Sequence, residues 1–342
     1  MTILNNKSYK NLLLYWLITL IFLLITMIIV GGLTRLTDSG LSITKWELFK
    51  GLLWPKNLEQ WEFYFSQYKE IPQFKLLNPD MTLVEFKVIY FWEWFHRILG
   101  RTIGLFFLIP FIFFIIKNSL TAEYKANLLI IFILICSQGV LGWYMVESGL
   151  VDVVTVSHYR LSSHLFMAFV ILSSLVWILL NFIRSTNKKF FTYEKSFFSI
   201  KLFIFLLFFQ IIFGAFVSGL DAGMIYQTWP LMNESFFPND VLIKKMSDLL
   251  DFNNQSLVQF FHRIIAYIIF FLIIFIGYKI AEQKRRVLFK PYLYVLLFVI
   301  LQIFLGIFTL TSNLNMYIAS LHQISSIFLT ILSLNLYHRS IN

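Results

Sequence analysis

Cysteine and charged residues are both scarce in this chain of 342 residues. Its one cysteine, Cys136, excludes an internal disulfide, and it also excludes a zinc site or an iron–sulfur cluster built on cysteine ligands. Charged side chains make up 13% of the residues and hydrophobic ones 58%, which leaves too little polar surface for a water-soluble globule. The composition therefore predicts an integral membrane protein whose metal ligands, if any, are histidines.

The basic excess, a formal net charge of +10, is divided among short clusters between apolar segments. Lys and Arg that flank membrane spans orient the helices, because basic loops stay on the cytoplasmic side. Clusters lie at residues 7–10, 117–125, 184–195 and 284–290 and in the tail at Arg339. We therefore expect both termini in the cytoplasm and no nucleic-acid partner.

Eight apolar segments are long enough to span a bilayer, which takes about 20 residues. They lie at residues 12–32, 88–116, 126–146, 157–183, 200–218, 257–280, 292–310 and 316–336. The first has no small-residue cleavage site after it, so it is predicted to be a retained span rather than a signal peptide. Residues 46–68 mix Trp, Phe and Leu with Lys and Glu, a pattern typical of either a helix on the outer interface or an ordinary solvated loop.

The chain contains an internal repeat, with four predicted helices in each copy. After the first helix of each copy, GGLTRLTDSGLSITKW aligns without a gap with GAFVSGLDAGMIYQTW. In the second helix, EWFHRILGR aligns with QFFHRIIAY. Because the copies have parallel order, the sequence predicts an all-α membrane protein made of two repeated four-helix bundles, over residues 1–190 and 191–342.

Four of the six histidines are predicted to share one depth in the membrane, about 10 Å inside the outer ends of alternate helices. They are His96, His164, His262 and His322. A lone membrane histidine is more often a hydrogen-bonded core residue, but two per copy on non-adjacent helices favour ligation. A histidine pair across a four-helix bundle is typical of haem iron bound from both sides, so two pairs predict two haems. A bare metal site is the alternative, although such sites in bundles usually add carboxylates.

The partner of His322 in the first copy is either His158 or His164. The ungapped register of the third helix pairs His322 with His158, whereas His164 needs a gap of six residues. We select His164, because His158 would lie about one turn higher and a gap costs little in an outer loop. His338, beside Arg339 at the opposite end, is interpreted as an interfacial residue of the tail.

Glu93 is the only acidic residue deep in the four histidine-bearing helices. A charge inside the bilayer costs about 3 kcal/mol or more and usually marks a function or a partner. Glu93 can share a helix face with His96 and Arg97, so a proton-transfer role and an ion pair are both open. The second copy has Gln259 here, and a difference in one proton-transferring group is expected when one haem is held and the other is acted upon.

Three arginines near the predicted outer face, Arg97, Arg160 and Arg263, are candidates for binding haem propionates. Arginines at a membrane interface also extend toward the headgroups, so both interpretations stay open. Small residues such as Gly142 permit close approach to a porphyrin and serve helix packing equally well.

The sequence resembles the haem A synthase family of CtaA type. The resemblance covers nearly the whole chain through GGLTRLTDSGLSITKW, FWEWFHRILGR, VSHYRLSSHL, SGLDAGMIYQTWPLMN, LVQFFHRIIAY and ASLHQ. It implies an enzyme that oxidises the C8 methyl of haem O to the formyl of haem A for cytochrome oxidase. It further implies a substrate haem between His96 and His164, a haem b cofactor between His262 and His322, and Glu93 as the catalytic residue.

The resemblance also implies a setting, the bacterial inner membrane, with haem O as substrate and with haem O synthase and an electron-transfer protein as partners. Self-association into a homo-oligomer stays open. Some family members have a cysteine pair in the first outer loop; residues 31–87 contain none, which indicates the cysteine-free subgroup. A di-haem b-type electron-transfer protein and a haem transporter are the competing functions, and the difference between Glu93 and Gln259 favours an enzyme.

Overall fold

The computed structural model describes residues 3–5, 7–45, 50–150, 155–191 and 198–341, and within them the regular structure is helical without β-strands. The α-helices are α1 (Lys10–Leu36), α2 (Leu58–Glu70), α3 (Pro72–Leu77), α4 (Leu83–Ile116), α5 (Ala122–Glu147), α6 (His158–Arg184), α7 (Phe198–Gly219), α8 (Gln255–Glu282), α9 (Arg286–Thr311) and α10 (Met316–Ser340).

Eight of these helices, all except α2 and α3, are long and apolar enough to cross a membrane. Each overlaps one of the eight predicted spans, so the prediction of an all-α membrane protein with eight spans is confirmed. Helices suit the hydrocarbon interior of a membrane because they satisfy their backbone hydrogen bonds internally. Polar side chains define several helix starts: Thr82 and Glu85 form a capping box before α4, and Asn254 and Asn315 cap α8 and α10.

One compact unit comprises Leu4–Ile171, with α1 packed on α4 and α4 packed on α5. The short helix α2 lies against the first turns of α4, where Trp61 and Phe65 are buried with Phe86 and Tyr90. Part of the ambiguous segment 46–68 is therefore helical, and its apolar face packs on protein. Residues 46–49 of that segment lie outside the described residues.

The other compact unit comprises Leu172–Asn342 together with Met1–Ile3. Its helices form a closed ring, because α7 packs on α8, α8 on α9, α9 on α10 and α10 on α7. The chain passes from one unit to the other within α6. The domain boundary between residues 190 and 191 stays a prediction.

The chain reverses direction in the same way after α1 and after α7. Asp38 and Asp221, which align in the repeat, both have left-handed backbones with φ of 49° and 51°. Asp tolerates this conformation better than most residues because its short polar side chain forms local hydrogen bonds. The turns direct residues 42–43 back to α4 and Tyr226 back to α8.

His338, near the C-terminal end of α10, is fully buried. Its Nδ1 lies 2.6 Å from a guanidinium nitrogen of Arg184, and its Nε2 lies 2.9 Å from Oδ1 of Asn181. The interpretation of His338 as an interfacial tail residue is therefore wrong. It was based on the nearby Arg339, whereas the burial depends on the inner end of α6, which is distant in sequence.

Candidate haem-binding sites

Each of the four predicted ligand histidines packs against a glycine of a neighbouring helix. In every case, a Cβ added to the glycine would lie closer to the imidazole Cε1 than an ordinary van der Waals contact. The distances are 3.0 Å for Gly31 and His96, 3.2 Å for Gly142 and His164, 3.2 Å for Gly214 and His262, and 3.1 Å for Gly306 and His322. These contacts are tighter than a Cβ tolerates without movement of its neighbour. Glycine therefore allows each pair of helices to approach at the level of the histidine.

His96 and His164 face each other inside the Leu4–Ile171 unit, with ring centroids 6.4 Å apart and ring planes inclined by 52°. Two imidazoles that bind one metal ion from opposite sides have centroids about 6.3 Å apart, because each metal–nitrogen bond is about 2.0 Å long. The separation of the two rings is therefore the one expected of an axial ligand pair.

The four imidazoles are not satisfied by the protein alone. Within the described part of the chain, the buried Nδ1 atom of each ring has no hydrogen-bond partner. Each histidine nevertheless keeps part of its surface accessible, deep within a membrane-spanning helix. These Nδ1 atoms are enclosed and lie beside the facing glycines, so Nε2 is the ring nitrogen that could bind a group that the protein does not itself contain.

Three glutamines hold the backbone carbonyls of three of these histidines. The amide nitrogen donates over 2.9 Å from Gln138 to His164, 3.0 Å from Gln210 to His262 and 2.9 Å from Gln302 to His322. Each glutamine lies four residues before the glycine that contacts the same histidine. At the corresponding position before Gly31 the chain has Met27, which has no hydrogen-bond donor in its side chain.

His164, rather than His158, has the surroundings of His322. Both His164 and His322 contact a glycine and receive a glutamine hydrogen bond on their carbonyls. His158 lies at the first position of α6, where it is buried and its ring contacts that of Tyr159 at 4.1 Å. The gapped alignment therefore matches the local geometry, although the ligand role of His164 stays a prediction.

Glu93 is 3% exposed and accepts four hydrogen bonds. Arg97 donates to Oε1 from two guanidinium nitrogens at 2.6 and 3.1 Å. Oε2 accepts from the Ser42 hydroxyl at 2.7 Å and from the backbone N–H of Ile43 at 2.8 Å. The ion pair with Arg97 that the sequence left open is therefore formed, and the carboxylate also binds the returning loop.

Gln259 occupies the same place in the other unit and is also 3% exposed. Its amide nitrogen donates over 2.7 Å to the carbonyl of Tyr226, the residue that aligns with Ile43. Arg263, which aligns with Arg97, donates to this carbonyl over 3.1 Å. The two units thus use the same framework to hold the loop, with a carboxylate in one and an amide in the other.

The loop over α8 has its own acidic anchor, Asp240, in place of a buried glutamate. The Tyr226 hydroxyl donates to Asp240 Oδ1 over 2.6 Å, and the Ser256 hydroxyl donates to Oδ2 over 2.7 Å. Partial burial raises the pKa of Asp240, but these hydrogen bonds outweigh burial and the pKa is lowered overall. Asp240 therefore carries a negative charge in the loop, whereas Gln259 beside the histidine is neutral.

The three outer arginines all contact protein groups. Arg97 pairs with Glu93, and Arg263 donates to the carbonyls of Tyr226 and Leu231. The guanidinium carbon of Arg160 lies 4.6 Å from the ring centroid of Tyr144. Their role toward haem propionates stays a prediction.

The histidine–glycine contacts and the glutamine hydrogen bonds were missed in the sequence. A signal for them exists, because the pattern Gln-x-x-x-Gly occurs as QGVLG, QIIFG and QIFLG at residues 138–142, 210–214 and 302–306. Across the described residues, no cluster of three or more His, Cys, Asp or Glu side chains is suited to a metal ion.

Comparison with known proteins assigns the chain to a family. Residues 14–334 match the family model of the cytochrome oxidase assembly protein, COX15-CtaA. A Heme A synthase of Pelagibacter ubique is 48% identical over 94% of this chain and 95% of its own length. A Heme A synthase of Flavobacterium psychrophilum is 41% identical over 93% and 94%, and one of Parvibaculum lavamentivorans is 44% identical over 75% and 74%. The chain belongs to the COX15-CtaA family of cytochrome oxidase assembly proteins.

Proposed function

We propose that the protein is a haem A synthase, which oxidises the C8 methyl of haem O to the formyl of haem A. The spacing of His96 and His164 carries this proposal, because it matches two axial ligands of one iron. The names of the relatives support the reaction, since each of those described above is a Heme A synthase. None of them bears the name of an electron-transfer cytochrome or a haem transporter.

The two histidine pairs have different tasks in this proposal. His96 and His164 hold the substrate haem, whereas His262 and His322 hold a resident haem b. A haem held by His262 and His322 would supply one-electron redox chemistry at this second pair. The support is the chemical difference beside the pairs: a carboxylate at Glu93 can exchange a proton, and the amide of Gln259 cannot.

Glu93 is proposed as the catalytic residue that accepts a proton during oxidation of the methyl group. When water supplies the formyl oxygen and the proposed electron-transfer partner accepts the electrons, oxidation of a methyl to a formyl also releases protons, so a fixed proton acceptor near the macrocycle is useful. Arg97, Ser42 and the N–H of Ile43 hold both oxygens of the carboxylate in place. In this arrangement the Glu93 carboxylate must accept and release the proton while it stays hydrogen-bonded to the loop.

The protein is proposed to lie in the bacterial inner membrane with both termini in the cytoplasm, since its basic clusters alternate in that sense. Haem O synthase and an electron-transfer protein are its proposed partners. Cysteine labelling tests the orientation in a Cys136→Ser background. Lys284→Cys should be unreactive toward an impermeant reagent added to intact cells, and Asp251→Cys should react; the opposite result would reverse the topology.

Extraction of the pigments from the purified protein tests the proposed reaction. We expect haem b together with haem O, its hydroxylated form or haem A. A preparation that contains haem b alone, and that does not bind added haem O, would instead support a di-haem electron-transfer protein.

A further inference from the structure

A groove of about 310 Å³ lies where the start of α7, the end of α8 and the start of α9 meet, within the Leu172–Asn342 unit. It is remote from the proposed haem ligands, because Lys279, which lines it, lies about 25 Å along α8 from His262 at 1.5 Å per residue. Its volume falls within the range of about 300–1,000 Å³ that is usual for small-molecule sites. The groove is therefore a candidate site separate from the two histidine pairs.

The lining of this groove combines hydrocarbon with positive charge. Its apolar side chains include Phe198, Phe275, Ile280 and Leu288, and its charged side chains are Lys279 and Arg285. Among the described residues that line it, none is acidic. A ligand that matches both parts of the lining has an anionic group and an apolar body.

The groove opens where the apolar part of α8 gives way to a polar turn. Phe275 is 47% exposed on a helix long and apolar enough to cross a membrane, so lipid tails are the surroundings expected for its ring. The Lys279 ammonium lies 5.9 Å from the ring centroid of Phe275 and 5.8 Å from that of Tyr278. A lysine at a membrane interface extends its stem over apolar surface in this way, with its charge at the headgroups.

Positive charge is concentrated beside the groove, in the turn between α8 and α9. Residues 279–290 contain one acidic side chain, Glu282, and five basic ones, Lys279, Lys284, Arg285, Arg286 and Lys290. Lys279 and Glu282 form an ion pair at 2.8 Å in which both side chains are exposed. An exposed pair of this kind contributes little free energy, so it does not prevent Lys279 from binding another anion.

The other copy of the repeat lacks this concentration of charge. In the register that aligns His96 with His262, α4 and α8 end at equivalent residues, Ile116 and Glu282. Residues 113–124, which correspond to 279–290, contain one basic side chain, Lys117, and one acidic side chain. The basic excess beside the groove is therefore larger than the equivalent turn of the same fold requires.

We propose that this groove binds an anionic phospholipid, with its phosphate beside Lys279 and Arg285 and an acyl chain against Phe198 and Phe275. Basic pockets between membrane-spanning helices are suited to such headgroups. An acidic protein is the competing occupant, but the apolar part of the groove favours a lipid, because a protein docked at the headgroups does not need a lipid-facing ring. This inference does not depend on the proposed reaction.

Native mass spectrometry of the full-length protein in detergent provides the test. The probes are phosphatidylglycerol and phosphatidylcholine with identical acyl chains, so only phosphatidylglycerol carries a net negative charge. Lys279→Gln combined with Arg285→Gln removes both charges from the lining. Lys117→Gln combined with Lys125→Gln removes two charges around the equivalent turn and is the matched control. Circular dichroism checks that each variant keeps its helices.

We expect the unaltered protein to bind phosphatidylglycerol about 10-fold or more tightly than phosphatidylcholine, since each cation near an anionic headgroup contributes a factor of about 5. The groove variant should lose this preference, and the control should keep it. No preference in the unaltered protein would overturn the proposal and leave the basic turn to an acidic protein. An equal loss in the control would also overturn it, because the charge effect would not be specific to the groove.

Ser199→Phe tests the apolar part of the groove without any change of charge, since Ser199 also lines it. The added ring would take the space of an acyl chain, so phosphatidylglycerol should bind about 5-fold more weakly or worse, whereas Ser199→Ala should bind it normally. Inorganic phosphate should not displace the lipid. Unchanged binding by Ser199→Phe, or displacement by phosphate, would show a site for anions without a lipid chain and would overturn the proposal.

Discussion

The surroundings of Glu93 and of Gln259 are built from the same parts. In each unit a histidine-bearing helix holds the loop that returns from the preceding helix, and an arginine one turn further on binds a carbonyl of that loop. The difference is a single functional group, a carboxylate that accepts from Ile43 or an amide that donates to Tyr226. The two units thus differ in the polar group beside the histidine and in the direction of the hydrogen bond that this group forms with the loop.

A second difference concerns how firmly the histidines are held. Gln138, Gln210 and Gln302 bind the carbonyls of three histidines, but Met27 stands at the matching position beside His96. His96 belongs to the pair proposed for the substrate, which must arrive and leave. In the pair proposed for the resident haem, a glutamine binds the backbone carbonyl of each histidine.

The largest expected effect comes from removal of a proposed axial histidine. His322→Ala should abolish the low-spin signal of the resident haem b, since one axial bond is lost, and the haem b content on extraction should fall accordingly. His158→Ala should leave both haems bound. A loss of haem on His158→Ala, with no loss on His164→Ala, would show that the gapped alignment selects the wrong residue.

Glu93→Gln makes the first site resemble the second. We expect inserted protein with bound haem and a fall in haem A formation of about 10²–10⁴-fold, the usual contribution of a general acid or base. Haem A formation is measured by haem analysis of the membranes, normalised to the amount of folded protein.

The reciprocal change distinguishes chemistry from charge neutralisation. Gln259→Glu in the Glu93→Gln background should not restore haem A formation, because the resident haem is not the substrate. If Glu93 only neutralises Arg97, Glu93→Gln should lower insertion or haem retention while activity per folded protein is preserved.

Gly142→Ala should displace His164, because the new Cβ would lie 3.2 Å from its ring. Overpacking of this kind costs about 1–3 kcal/mol, so haem at the first site should bind about 10-fold more weakly or worse. Gly139→Ala is the matched control, since nothing lies within 4 Å of a Cβ there. The spectra of the two variants should differ, and identical spectra would exclude a role for the glycine contact.

The smallest effect concerns the glutamines. Gln302→Met should speed the loss of haem b to a haem acceptor about 2- to 10-fold, as expected for one hydrogen bond of about 0.5–1.5 kcal/mol. Met27→Gln should slow the loss of haem from the first site by a similar factor. Unchanged rates in both variants would show that the glutamines do not hold the ligands.

The spans were predictable because they depend on local composition. Eight apolar segments became eight long helices, and the predicted pairing of His96 with His164 agrees with the 6.4 Å between their ring centroids. The partners of Glu93 were only half predictable. Arg97 follows on the same helix, whereas Ser42 reaches Glu93 through the reversal at Asp38, which α-helical periodicity does not report.

The environment of His338 could not be predicted for a similar reason. Its neighbours Asn181 and Arg184 are on α6, far away in sequence, and the polar end of a membrane helix is compatible with both exposure and burial. The apolar face of α2 posed the same difficulty. An amphipathic pattern reports that one face is covered, but not whether lipid or α4 covers it.

The contact between each histidine and its glycine has a consequence for protein design. Moving one of these histidines along its helix, or grafting it into another bundle, requires a second change on the facing helix, because a Cβ there would lie only 3.0–3.2 Å from the imidazole. The sites proposed for haem are therefore specified by pairs of positions on two helices and not by their histidines alone. A poly-leucine bundle that receives only the histidines would place a leucine side chain where each ring needs a glycine.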